Sequence, residues 1–143
     1  LEGESSMIRT TIAVVAASLI MVVVDLIWLG VFAFDFYNEN LGNLRAEQTN
    51  WMAAGMFYFQ YIAVVVFFGA LPAKSIKDAA GRGALLGWFA YATYELTNWA
   101  VIEAWPPGLV AIDIAWGVVL TTIVTSAAHA AYNWGGWTPA QDV

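Results

Sequence analysis

The chain has 143 residues, of which 61% are hydrophobic and 11% charged, well short of the roughly 25% charged residues of an ordinary soluble domain. This composition excludes a soluble globular fold and indicates one integral membrane domain. A formal net charge of −6 with five lysines and arginines argues against nucleic acid, whose phosphates require a basic face. The lack of cysteine removes disulfides, thiolate metal sites and thiol nucleophiles.

In chain order, LEGESS (residues 1–6) is polar and aperiodic and precedes Met7. It reads as an added remnant, with residues 7–143 forming a single domain. A first apolar run covers residues 8–34. Arg9 followed by this run has the outline of a signal peptide, but the run is too long and lacks a small-x-small exit. A second run, about 51–71, carries no charge and ends at Leu71-Pro72. The third, about 84–102, contains Glu95. The fourth, about 109–132, contains Asp113 near its start and His129 near its end. A bilayer core takes about 20 residues per helical span, and backbone groups at that depth must be satisfied within their own segment. Four strands do not close a barrel. The expected fold is therefore all-α, a polytopic membrane protein with a four-transmembrane-helix bundle.

Lysine and arginine collect on the cytoplasmic side. Lys74, Lys77 and Arg82 fall between the second and third spans and Arg9 precedes the first, so both termini are expected to be cytoplasmic. Arg45 is left outside. Trp51 and Trp105 at the outer ends, and Trp134 and Trp137 at the inner end, fit an interfacial aromatic belt.

Depth follows from a rise of about 1.5 Å per residue. Asp25 in VVVDLIWLG and Asp113 in VAIDIAWGV reach a similar level in the outer part of the membrane, and Glu95 lies slightly deeper. Trp28 and Trp116 each follow an aspartate at i+3, and Asn98 and Trp99 follow Glu95 at i+3 and i+4, on the same helix faces. Asp25, Trp28, Glu95, Asn98, Trp99, Asp113 and Trp116 thus form an expected acidic and aromatic pocket. Intramembrane carboxyls are costly and mark functional candidates, and no basic residue lies at this depth to pair with them. They can remain protonated, bind a cation or be reached by water. The plain structural alternative is that they hydrogen-bond Asn98, Thr97, Tyr94 or indole N–H groups between helices. Asp113 is the member best explained otherwise, since the start of its helix favours a carboxylate.

His129 lies about 24 Å along the fourth helix from Asp113. With Thr122, Thr125 and Ser126 it forms a polar stripe, readable as a proton path or, more simply, as packing contacts. Gly83 and Gly87 form a GxxxG that signals close helix packing.

VVVDLIWLG, the run GRGALLGWFAYATYELTNWA and IDIAWG together resemble the DUF2177 family of small bacterial four-helix membrane proteins, over nearly the whole chain after Met7. The resemblance implies that fold and a bacterial inner membrane location. It supplies no activity, though an association of the family with acyl-chain modification implies lipid substrates. Where this chain has Glu95 before LTN the family more often has aspartate, so the carboxyl is kept on a longer arm.

Three functions follow as expectations. In the first the pocket binds or transports a cation, a proton or an amphipathic, lipid-like ligand seated among Trp28, Trp99, Trp116 and Tyr58, Tyr61, Tyr91 and Tyr94, whose ring faces suit an organic cation. In the second, paired carboxyls act as acid and base on a lipid-soluble substrate. No histidine cluster or phosphate loop supports an enzyme, no metal site is assigned, and the cofactor is undetermined. In the third the chain is a helper subunit of a larger membrane complex. Expected partners are membrane lipid and, through the charge-free second helix, a second copy.

Overall fold

A computed structural model describes residues 2–44 and 46–134, and all regular structure among them is helical. Helix α1 (Glu2–Ile27) continues through a π turn at Trp28–Phe32. The short α2 (Phe34–Leu41) is followed by a 3-10 turn at Gly42–Leu44. Helix α3 (Trp51–Val64) continues through a second π turn at Val65–Ala70. Helices α4 (Ile76–Val101) and α5 (Pro107–Asn133) complete the chain. Arg45 and Trp137 lie outside the described residues.

Among the described residues three helices are long and apolar enough to cross a membrane, namely Gly3–Phe32, Trp51–Ala70 and Pro107–Asn133. At 26 residues, or about 39 Å, α4 exceeds the roughly 30 Å hydrocarbon core. It falls outside that set because Tyr91, Tyr94, Glu95, Thr97 and Asn98 interrupt its apolar run.

Two boundaries differ from the sequence expectation. Helix α1 runs back through Glu2–Ser6, a polar stretch with no proline to interrupt it. Helix α4 begins at Ile76 rather than near residue 84, and its start is a capping arrangement that an apolar-run reading overlooks. The Asp78 amide donates to Ser75 Oγ at 3.1 Å, and the Asp78 carboxylate accepts from the Lys74 amide at 2.9 Å and from Arg82 Nε at 3.0 Å. Orphan amides at a helix start are satisfied in this way. The Lys74 amide, helped by the Arg82 guanidinium, holds the Asp78 carboxyl below its usual range.

Helix α5 is the centre of the bundle, with ten buried residues. Ala13, Ala17 and Met21 of α1 recur every four residues and share one core with Leu120, Val124 and Ala128 of α5 and with Val65 and Val66 of the second π turn. The approach of α4 to α5 is closer still. A Cβ placed on Gly87 would lie 2.2 Å from the Gly117 carbonyl oxygen, and one on Gly83 would lie 2.6 Å from that of Thr121. The GxxxG therefore marks a backbone-to-backbone crossing, for which small residues are the general solution between membrane helices. Outward-facing positions such as Ile8, Val15, Leu19, Phe59 and Phe68 are large and apolar, as a lipid-facing surface requires.

At one end of the bundle the basic residues close the packing. Arg9 Nε donates to the Tyr132 carbonyl at 2.8 Å, Arg9 Nη2 to Asn133 Oδ1 at 3.1 Å, and the guanidinium lies 4.1 Å from the Tyr132 ring centre. Arg82 Nη1 donates to the Phe68 carbonyl at 3.4 Å. The starts of α1 and α4 thus meet the ends of α5 and α3, which alternates the four long helices up and down. Arg9→Ala removes a partner from the last carbonyls of α5 together with the ring contact, and is expected to lower stability by about 1 kcal/mol. A thermal melt in detergent checks this, and an unchanged midpoint would show that the contact contributes nothing.

Candidate acidic and aromatic site

The opposite end is built where α1, α4 and α5 present their carboxyls and α2 folds over them. Asp25 sits on the last turns of α1, immediately before the π turn. There the Ala33 amide reaches back five residues to the Trp28 carbonyl at 2.8 Å, and such turns re-aim side chains, frequently at functional sites. The Trp28 ring stacks on Trp116 of α5, with centroids 4.3 Å apart and planes 8° from parallel. Tyr58 of α3 donates to Asp25 Oδ2 at 3.1 Å. The Trp116 ring lies beside Asp25, but its buried indole N–H makes no hydrogen bond of proper geometry.

Glu95 and Asp113 form the second part. Glu95 is fully buried and Asp113 is 7% exposed. Their carboxyls face each other. Trp105 Nε1 donates to Glu95 Oε2 at 2.9 Å, whereas Glu95 Oε1 makes no hydrogen bond of proper geometry. Tyr37 of α2 donates its phenolic proton to Asp113 Oδ1 and accepts from Trp28 Nε1 at 3.5 Å, so it joins the aspartate of one helix to the tryptophan of the other. Burial, together with the Asp113 carboxylate beside it, pushes the Tyr37 phenol up, keeping it a donor across the physiological range. Asp25 is within electrostatic reach of Asp113. Among the described residues no three carboxyl or imidazole groups converge closely enough to hold a metal ion. Asp25 and the Glu95–Asp113 pair are therefore neighbouring acidic positions rather than one ligand set.

Of the seven residues expected in the pocket, Asp25, Trp28, Asp113 and Trp116 are joined by these contacts, and Glu95 faces Asp113. Asn98 lies beside Tyr94. Trp99 is 51% exposed: one turn past Glu95 its ring lies on the outside of the bundle. Thr97 donates to the Thr93 carbonyl of its own helix at 2.5 Å, so it is no partner for the acids.

Two participants escaped the sequence reading. Trp105, expected in the interfacial belt, is only 7% exposed and binds Glu95. The turn between α4 and α5 folds it inward, where its ring meets Tyr94 edge-on at 5.7 Å. Trp51 and Trp134, by contrast, are 79% and 85% exposed at opposite ends. Tyr37 had no sequence signal, because its partner is 76 residues away. Asp113, the member easiest to explain by its helix start, is the one on which the contacts of α2 and α4 converge.

The site is roofed and open sideways. Phe36, Tyr37 and Leu41 of α2 pack on Trp105, Leu109 and Val110, closing the bundle end above the acids. Laterally, a cleft of about 680 Å³ opens between α3 and α4, walled by Phe57, Tyr61, Leu86, Phe89 and Tyr91, with Asp113 in its lining.

The polar stripe of α5 is bonded locally. Thr121 and Thr122 donate to the Gly117 and Val118 carbonyls at 2.6 and 2.7 Å, and Tyr61 meets Thr121 Oγ1 at 2.5 Å. His129 Nδ1 lies 2.9 Å from the Ala70 carbonyl, tying α5 to the end of α3. Thr125 is buried against Gly69 and Gly83 with its hydroxyl unpartnered, and Ser126 is half-buried. The Thr121 and Thr122 hydroxyls thus return to the preceding turn of their own helix.

The family described as predicted membrane protein (DUF2177) matches residues 10–130. No curated protein and no solved structure matches the chain.

Proposed function

The chain belongs to the DUF2177 family of predicted membrane proteins, and we propose that it crosses the bilayer four times, with both termini cytoplasmic, and binds an amphipathic ligand at the acidic and aromatic site. The observation that carries this reading is the Glu95–Asp113 pair. Two buried carboxyls face each other, one with an oxygen that makes no hydrogen bond of proper geometry, and no cation-bearing side chain among the described residues joins them. Carboxyls so placed are held together by a shared proton or by a positively charged group between them. The stacked indoles of Trp28 and Trp116 and the phenols of Tyr37 and Tyr58 offer ring faces and donors at the same level, which suits a ligand with an apolar body and a polar, cationic end. The four-span arrangement is supported by the length of α4, by its tight crossing with α5, and by the gathering of Arg9, Lys74, Lys77 and Arg82 toward one end. That end is the cytoplasmic one under the charge bias of membrane proteins, here a bacterial inner membrane.

The test is quenching of intrinsic tryptophan fluorescence in lipid nanodiscs by dodecyltrimethylammonium. The wild-type protein is expected to quench saturably, through Trp28 and Trp116, and Asp25→Asn is expected to weaken the midpoint about tenfold while the circular dichroism spectrum is unchanged. Saturable quenching retained in both Asp25→Asn and Asp113→Asn would overturn the reading.

A further inference from the structure

We propose that the cleft between α3 and α4 is a lateral binding groove for a single-chain amphiphile with an ammonium head group, which enters from the bilayer and places its head against Asp113. The inference rests on the binding reading above and adds the route and the chemistry of the ligand. Three observations carry it.

The first is access. Helix α2 covers the bundle end, with Phe36 and Leu41 packed on Trp105 and Leu109, so a ligand from the aqueous side meets an apolar roof. Helices α3 and α4 leave the gap of about 680 Å³, within the roughly 300–1,000 Å³ of small-molecule sites. Its walls belong to spans whose outer faces are apolar, as Phe59, Leu85 and Phe89 show.

The second is the pairing of wall and lining. Phe57, Tyr61, Phe89 and Tyr91 supply aromatic faces, and Asp113 supplies the carboxyl. The grooves between α1 and α3 and beside Trp28 are lined by no carboxyl. An alkyl chain is accommodated in any of these grooves, but an ammonium group is drawn to a carboxylate framed by ring faces.

The third is charge complementarity with an unfilled valence. Glu95, fully buried beside Asp113, has one carboxyl oxygen that makes no hydrogen bond of proper geometry. Asp25 adds a further acid nearby, and no lysine or arginine among the described residues bonds to any of the three. An anionic head group such as a phosphate monoester or a fatty carboxylate would be repelled here.

A diazirine-tagged alkyltrimethylammonium, photoactivated with the full protein in phosphatidylcholine nanodiscs, tests this directly. Labelled peptides are expected to come from Phe57–Val64 and Leu86–Tyr94. Labelling should be competed by excess dodecyltrimethylammonium and not by dodecyl sulfate. Ala90→Trp fills the groove from an exposed position of α4 without touching the acids, and should cut labelling about tenfold, while Asp113→Asn should do the same by removing the charge. Labelling that stays acid-dependent but falls on α1 or α2, and is indifferent to Ala90→Trp, would overturn the groove and leave the acidic site standing. Labelling on α3 and α4 that is indifferent to Asp113→Asn, or is competed equally by dodecyl sulfate, would overturn the ammonium chemistry. Loss of all saturable labelling in the wild-type protein would overturn both readings.

Discussion

Gly87→Val is expected to destabilise the bundle by about 3 kcal/mol or more, the upper end of the range for overpacking a tight contact. The usual escape from overpacking is rotation of a neighbouring side chain, and here the atom in the way is the Gly117 carbonyl oxygen, 2.2 Å from where the first added carbon would lie. Helix α4 must therefore move off α5 as a body. Glu95 rides on α4 two turns further along, so the same displacement carries its carboxyl away from Asp113. The control is Gly81→Ala, one and a half turns earlier on the same helix, where an added carbon meets nothing within 4 Å. There the gain in helix propensity should be neutral to stabilising by a few tenths of a kcal/mol up to about 1 kcal/mol. Unfolding in mixed micelles, followed by circular dichroism, measures both. Gly87→Val with the stability of the wild type would mean that α4 does not lie on α5 as described.

Replacements at Glu95 separate its two roles. Glu95→Leu removes the acceptor of the Trp105 indole N–H at 2.9 Å in a fully buried position, and an unpaired buried donor costs about 1–3 kcal/mol. The α4–α5 turn should loosen, and emission from Trp105 should shift to the red as water reaches it. Glu95→Gln keeps an amide oxygen for Trp105 and should retain most of the stability. It also places an N–H donor in place of the second carboxyl oxygen, so the space beside Asp113 no longer presents two acids. Binding of dodecyltrimethylammonium should then weaken about tenfold or more, although the fold is intact. Equal binding by Glu95→Gln and wild-type protein would reduce the carboxyl pair to a structural bond between helices.

Much of the architecture was legible in the residues. A chain with so few charges and runs of about 20 apolar residues admits few folds, because lipid offers the backbone no partner. That constraint yields an all-helical membrane protein directly, and the similarity carried by IDIAWG and YELTNWA agrees with the family match over residues 10–130. Counting residues along rigid helices also puts Asp25 and Asp113 at a similar expected level with Glu95 slightly deeper, since helical rise is fixed by backbone geometry.

What the count could not decide is which way each ring turns and what covers the acids. Trp105 and Trp99 sit near the same end of α4, yet one is folded in against Glu95 and the other is half exposed. The difference lies in the turn that follows α4, and composition is blind to it. Tyr37 meets Asp113 because α2 packs Phe36 and Leu41 over Trp105 and Leu109. The start of α4 at Ile76 was fixed by the Ser75 and Asp78 cap, a local signal that an apolar-run reading passes over. Sequence by itself determined the class and marked Asp25, Glu95 and Asp113 as the carboxyls within its apolar runs. Only the tertiary structure decided that Asp113 faces Glu95, that α2 closes the end of the bundle, and that a cleft opens between α3 and α4. Depth is set along one helix, whereas pairing and access depend on how several helices rotate and spread around a common axis.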